Sequence, residues 1–410
     1  MSEHVRVEID WRGHTVLVGY AYFHIARGQI STTFKYSDDY LEARWAFPID
    51  PALPLSTAPF NVSGMPGAFG DCAPDRWGRN LVTKQHRRLV AAGDARDRRL
   101  TEVDYLLGVS DMTRQGALRF RRAASGDFLA TGAHVPKTVS LPELQRAADE
   151  AADGSGAAIK RLLDAGTGSL GGARPKASVS GDDGRLLIAK FSRPSDEWNL
   201  ILWERVALEL ARRAGITVPN TRLLRIEDRP VLLLDRFDRD GHQRIGYISA
   251  MTAADREDGE AADYVDVIEA IEDTSRQWRR DCRQLFRRVA LSTAVHNTDD
   301  HLRNHGFLRS DAGWELSPAF DINAEPDVAV DRQTAINGVT EAEYEAEALL
   351  ELAALCHLTV PEARTILKEV VEAVGQWRAC AVSLSVPARE LEFVGGAIDK
   401  QLERIRAVLR

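Results

Sequence analysis

Hydrophobic and polar positions alternate with period two at the start of the chain and take on helical spacing towards its end. Val5-Arg6-Val7-Glu8-Ile9 and Thr15-Val16-Leu17-Val18-Gly19 flank Arg12-Gly13, which predicts a β-hairpin. Residues 29–36 read as another strand, and Pro48, Pro51, Pro54 and Pro59 then forbid regular structure. A helix is predicted over 76–89. Gly116-Ala117-Leu118-Arg119-Phe120 closes this β-rich stretch, and Ala123-Ala124-Ser125-Gly126 begins a connector. Beyond it come a helix at 142–152, with Pro142 in its first turn, and strands at 177–180, 186–190 and 229–234. A helix over 197–214, ended by Gly215, lies between the last two strands. From 262 onward the apolar spacing is helical, over 262–272, 281–296, 341–356, 361–381 and 388–409. The expected organisation is α+β, in three modules: 1–125, 126–240 and 241–410.

One polar burst interrupts the helical half. His296-Asn297-Thr298-Asp299-Asp300-His301-Leu302-Arg303-Asn304-His305 follows a helix face of Leu285, Phe286, Val289 and Ala290, and Gly306-Phe307-Leu308 then reads as a short strand. A polar loop held between rigid elements is a usual place for chemistry. Asp299 and Asn304 stand in D-x-x-x-x-N spacing, which in phosphoryl-transfer enzymes separates a hydroxyl-orienting carboxylate from a magnesium-binding amide. By itself that spacing is weak.

Composition narrows the field. A length of 410 residues exceeds one ordinary core. No apolar run is long enough for a secretory h-region or a membrane span. Cys72, Cys282, Cys356 and Cys380 lack C-x-x-C spacing, so a reducing cytoplasm is expected rather than a disulfide framework. The net charge of −8 argues against a dedicated nucleic-acid binder. The Arg- and Lys-dense stretch 76–99 reads as a solvated helix face or a protein-partner surface, with phosphate contact as the alternative.

Five further features stand in order on either side of that loop. Gly166-Thr167-Gly168-Ser169-Leu170-Gly171-Gly172 holds G-x-G-x-x-G ahead of a strand, so its backbone N–H groups could approach phosphate. Lys190 ends an apolar strand, and Glu204 on the next helix could hold it toward phosphates; a snorkelling lysine and a solvated acid are the plain alternatives. Leu232-Leu233-Leu234-Asp235-Arg236-Phe237-Asp238 runs from buried strand into polar residues, as a hinge would or as any strand end would. Asp321, after Ala319-Phe320, lies where a second magnesium ligand is expected. Two carboxylates about 6 Å apart repel by about 3 kcal/mol at an effective dielectric near 20, and a divalent cation removes that conflict. Oxygen-only ligands select magnesium. A zinc or iron site built from His296, His301 and His305 with Asp299 and Asp300 is the competing reading. Together the order of features favours phosphoryl transfer from a nucleotide.

Gly171-Gly172-Ala173-Arg174-Pro175-Lys176, Arg236-Phe237-Asp238-Arg239, Gly246-Tyr247-Ile248-Ser249-Ala250-Met251, Asn297 through Asn304 and Pro318-Ala319-Phe320-Asp321-Ile322 resemble the HipA family of toxin serine/threonine kinases. The resemblance implies a protein-kinase-like two-lobed fold, with a mixed N-lobe, a helical C-lobe and an added N-terminal β-rich subdomain. It also implies ATP with Mg2+, and phosphorylation of a serine on a protein target such as an aminoacyl-tRNA synthetase. The implied partner is a HipB-like helix-turn-helix antitoxin, which carries the DNA contacts. Carried over by position, Asp299 is the catalytic carboxylate and Arg303 offsets charge on the moving phosphoryl group. Asn304 and Asp321 hold the metal. Gly171, Gly172, Ala173, Lys190, Glu204, Asp235, Phe237, Asp238 and His301 form the ATP set, and Ser169 is the self-phosphorylated serine. Phosphate on Ser169 should repel ATP. Asp300 stands where a glycine is frequent, adding charge beside Asp299, and Arg303 replaces the usual lysine.

Two other functions compete with this one. A catalytically weak nucleotide-binding regulator would act through a DNA-binding antitoxin. A small-molecule phosphotransferase would need an acidic pocket, for which the acidic run 257–266 leaves room.

Overall fold

The computed structural model of the protein describes residues 2–27, 29–123, 128, 135–167 and 174–410. It contains two compact units, 1–194 with 222–248, and 195–221 with 249–410.

In the first unit the early alternation becomes a five-stranded antiparallel sheet. Strands β1 (Ser2–Trp11), β2 (His14–Ala26), β3 (Gln29–Tyr36), β4 (Phe60–Ser63) and β5 (Leu118–Arg122) lie in the order β4-β3-β2-β1-β5. The Arg12-Gly13 turn uses positive φ at both residues, the geometry that matches strand twist. Val5, Val7 and Ile9 send their side chains into the core, where Phe23, Phe34, Phe69 and Phe120 pack. A second sheet has the order β6-β7-β9-β8, built from β6 (Lys176–Ser180), β7 (Leu186–Phe191), β8 (Thr221–Ile226) and β9 (Arg229–Asp235). Helices Leu141–Ala152 and Gly156–Asp164 cover it. Their Leu144, Ala148, Ile159 and Leu162 share one apolar cluster with Val179, Leu187, Phe191 and Val231. Trp77 and Leu81, from helix Arg76–Ala92, join the same cluster and so tie the basic helix to this sheet. Two arginines of the basic stretch are paired, Arg79 with Glu102 and Arg98 with Asp104.

The second unit is mostly helical. Helix Trp278–Ala294 is its axis, with Leu285, Phe286, Val289 and Ala290 fully buried. Helix Leu200–Arg213 belongs to this unit. Its Trp203 ring lies 6.0 Å from that of Trp377, and the Trp203 indole and Asn199 amide both donate to Glu390, at 3.1 and 3.0 Å. The helix expected over 361–381 is two, Val360–Val374 and Trp377–Ser383, broken at Gly375. The last one is likewise interrupted, running as Ala388–Phe393 and Gly395–Val408, and Gly395 lies against the Trp377 ring, where a Cβ would come within 2.0 Å. Among the described residues, no helix is long and apolar enough to cross a membrane. All four cysteines are free and buried, and burial pushes the Cys72 thiol up to about 12, away from nucleophilic use.

Candidate active site

The loop 296–304 is built by the way its helix ends. His296 has φ 54° and takes the left-handed position that usually falls to glycine. The N–H of Asn297 donates to Ser292 O at 2.8 Å and that of His296 to Thr293 O at 3.1 Å, closing the helix. The chain then runs buried through Thr298, exposes Asp299, and is buried again at Asp300. A short 3-10 turn, Leu302–Asn304, brings the Asn304 side chain back, and its Nδ2 donates to Asp299 O at 3.0 Å. That commits the donor end of the amide and leaves its oxygen as the acceptor for a cation. Asp299 and Asn304, paired in the sequence reading, are therefore adjacent.

Asp321 has φ 58°, a costly conformation for a residue with a Cβ and one concentrated at functional sites. Its segment lies along the same loop. The N–H of Asn323 donates to Asn297 Oδ1 at 3.3 Å, and that of Glu325 to His296 O at 2.9 Å. His296 Nε2 bonds Asp327 O at 3.0 Å, and His305 Nε2 bonds Asp300 Oδ1 at 3.0 Å, so both rings are engaged by the protein. Among the described residues, no group of three or more His, Cys, Asp or Glu could hold a metal ion. Asn304 and Asp321 carry oxygen donors of the kind that a hard, oxygen-seeking cation takes. The Nδ1 atoms of His296, His301 and His305 are all buried without a hydrogen-bond partner.

Asp300 does not sit beside Asp299 as a second exposed charge. It is 6% exposed and accepts from the Tyr264 hydroxyl at 2.6 Å. Burial alone would raise its carboxyl, but the His305 imidazole, hydrogen bonds from His305 and Tyr264, and the Arg332 charge hold it well below the usual range. Arg332 in turn donates to Tyr264 Oη at 3.0 Å and to Glu345 Oε1 at 2.6 Å, and Gln401 donates to Glu345 Oε2 at 3.0 Å. Sequence reasoning missed Tyr264, Arg332 and Glu345. They lie 33 or more positions from Asp299 and carry no motif, and only folding brings them under the loop.

Arg303 forms a two-bond ion pair with Asp258, at 3.0 and 2.8 Å. Other acids of the run 257–266 are also occupied. Asp263 and Asp266 cap helix Tyr264–Thr274, and Asp266 pairs with Arg256 at 2.6 Å. Glu204 is 3% exposed on helix Leu200–Arg213.

In the first unit, Lys190 lies near the end of β7 directly opposite Lys176 of β6, so the two side chains share one sheet face. They are 9% and 3% exposed. Two buried ammonium groups in register favour an anion nearby, and Asp75, 3.9 Å from Lys176, supplies one. Lys176 is a further residue to which the sequence reading gave no role. Asp235 accepts from Arg185 at 2.9 Å, and the Phe237 ring lies 6.2 Å from that of Tyr247. The Asp238 carboxylate is occupied: Arg236 donates twice, at 2.8 and 2.6 Å, Arg239 once at 2.8 Å, and the Gly116 N–H at 2.8 Å. Gly116 has φ 73°, and a Cβ there would meet Tyr247 at 3.3 Å, so glycine suits the turn that delivers this N–H. Gly171, Gly172, Ala173 and Ser169 lie outside the described residues.

A mixed unit and a helical unit of this composition define an α+β protein with a protein-kinase-like fold. A family model for the HipA-like C-terminal domain matches residues 168–378, and one for the HipA N-terminal domain matches residues 17–100. The first spans more than half of the 410 residues, and the chain belongs to the HipA family. Its fold is similar to that of a chain in the Shewanella oneidensis MR-1 toxin–antitoxin complex of HipA, HipB and operator DNA. The match has a TM-score of 0.65 and 14% identity, and covers 98% of this chain and 97% of that one. The Helicobacter pylori proinflammatory kinase CtkA matches with a TM-score of 0.43 and 17% identity, over 58% of this chain and 92% of that one. No curated protein sequence matches the chain.

Proposed function

We propose that the chain is an ATP- and Mg2+-dependent serine/threonine protein kinase, the toxin of a toxin–antitoxin pair, with modules at 1–125, 126–240 and 241–410. The observation that carries this reading is the exposed Asp299 carboxylate in a loop otherwise nearly buried, with Asn304 fastened to its own carbonyl. Asp299 orients the acceptor hydroxyl and takes its proton. Lys190, with Lys176 opposite, neutralises phosphate charge, and Arg303 exchanges its exposed pairing with Asp258 for the transferring phosphoryl group. Such a surface pair is worth less than about 1 kcal/mol, so the exchange is inexpensive. Asn304 and Asp321 would hold magnesium, which when bound neutralises charge between the phosphates. The backbone at Asp235 and Phe237 meets adenine, His301 and Glu204 complete the nucleotide set, and the Asp238 side chain fixes the hinge from beneath. The glycine-rich loop with Gly171, Gly172 and Ala173 covers the phosphates, and phosphate on Ser169 switches the enzyme off.

The partner is a HipB-like antitoxin through which any DNA contact is made, and the target is a protein serine, for which an aminoacyl-tRNA synthetase is the candidate. The place of action is the cytoplasm. Radiolabelled ATP with magnesium tests the chemistry: the wild type labels itself on Ser169 and Asp299→Asn does not. A wild type that binds ATP yet never labels itself or a protein would leave the nucleotide-binding regulator as the reading. Phosphoproteomics after induced expression identifies the target.

A further inference from the structure

Gln333 is an exposed residue whose side chain reaches the Asp299 carboxylate, with Nε2 2.7 Å from Oδ1. An exposed glutamine held in one rotamer loses side-chain entropy, so something must fix it. Its neighbours do so. The Gln333 N–H donates to Thr298 O at 2.9 Å, and the Thr334 hydroxyl donates to Asp300 O at 2.6 Å. Ala262 pairs with Thr334 as parallel strand, and Arg332, 3% exposed, is tied to Glu345 and Tyr264. The segment 332–334 is thus clamped to residues 298–300 by bonds on either side of Gln333, and the buried arginine anchors the clamp.

We infer that Gln333 is a positioning residue for the phosphoryl-transfer step, setting the rotation of the Asp299 carboxylate about its terminal torsion. That torsion is broad, so a carboxylate without a fixed donor samples orientations that miss the acceptor hydroxyl. The amide makes one oxygen the acceptor of its N–H and turns the carboxylate plane accordingly. This inference rests on the reading of Asp299 as the hydroxyl-orienting base.

The test uses the full chain with magnesium and γ-labelled ATP, and measures self-labelling at varied ATP concentration. Gln333→Ala removes the donor, and Gln333→Glu keeps the size but cannot donate. Gln333→Lys supplies a different donor of similar reach. The expected result is a fall in kcat on the order of tenfold for Gln333→Ala and more for Gln333→Glu. KM for ATP stays within about twofold, and Gln333→Lys keeps kcat within about threefold of wild type. Wild-type rates for Gln333→Ala and Gln333→Glu, with Asp299→Asn silent, would overturn the role of Gln333 and leave that of Asp299 standing. A Gln333→Lys variant as slow as Gln333→Ala would also overturn it, because restoring a donor would then restore nothing. An Asp299→Asn variant as fast as wild type would overturn the site reading itself.

Discussion

Each unit of the molecule contains a buried carboxylate beneath a stretch assigned to chemistry, and the two are supported differently. In the first unit Asp238 is surrounded by arginines that also reach main-chain carbonyls. Arg236 donates to Thr113 O and Arg239 to Arg114 O, both at 2.6 Å. Nearby, Asp111 receives Arg119 and Arg244, at 2.5 and 3.1 Å. Except for Arg119 with Asp111, these contacts bridge more than 120 positions and bind the end of β9 to the turn before β5. In the second unit Asp300 has one imidazole, one phenol and an arginine shared with Glu345, all beneath a single loop. The first network joins two sheets, whereas the second orients a few residues. Charge has the same buried character in both, yet breaking the first should cost the fold and breaking the second should cost the site.

Asp238→Ala is the largest expected effect. It strands two buried guanidinium groups and should lower unfolding free energy by about 3–5 kcal/mol, read from urea denaturation. Asp300→Ala leaves fewer charges unpaired and should cost about 2–3 kcal/mol, with loss of activity accompanying the loss of stability. Tyr264→Phe removes a single hydroxyl between Asp300 and Arg332 and should cost about 1–2 kcal/mol. Asp258→Ala breaks only the exposed pair with Arg303 and should change stability by less than about 1 kcal/mol. A larger loss for Tyr264→Phe than for Asp238→Ala would reverse the comparison.

Acid sharpens it further. Burial raises the Asp238 carboxyl, but Arg236, Arg239 and the Gly116 N–H outweigh burial and hold it well below the usual range. A depressed folded value means that the stabilisation is whole above the unfolded value near about 3.9 and is lost as pH falls toward the folded value. Wild-type stability should therefore decline between about pH 5 and 3, and Asp238→Asn should flatten that decline.

Much of this was legible in the sequence. The β1–β2 hairpin followed from alternation around Arg12-Gly13, and the Trp278–Ala294 helix from its apolar spacing. The loop at 296–304 stood out because so many polar groups are concentrated between apolar runs. The short helix Glu102–Gly108 was missed, although the Thr101 and Asp104 capping box that starts it is visible in the chain. Strand β8 was missed because Arg222 and Arg225 interrupt its apolar run. Asp238 and Asp300 were harder for a physical reason. Sequence shows that a carboxylate lies beside a functional position but not whether it faces solvent. Asp300 is turned inward while its neighbour Asp299 is exposed, and only the fold distinguishes them. Arg332 and Glu345 carry no motif, since a buried ion pair is specified by two distant elements together.

The most direct test compares the adjacent aspartates in one assay, measuring γ-phosphate transfer per folded molecule for Asp299→Asn and Asp300→Asn beside their urea midpoints. Asp299→Asn should keep the wild-type midpoint and lose on the order of a thousandfold in rate, whereas Asp300→Asn should lose midpoint and rate together. An Asp299→Asn protein that transfers phosphate at the wild-type rate would contradict the assignment of chemistry to the exposed carboxylate.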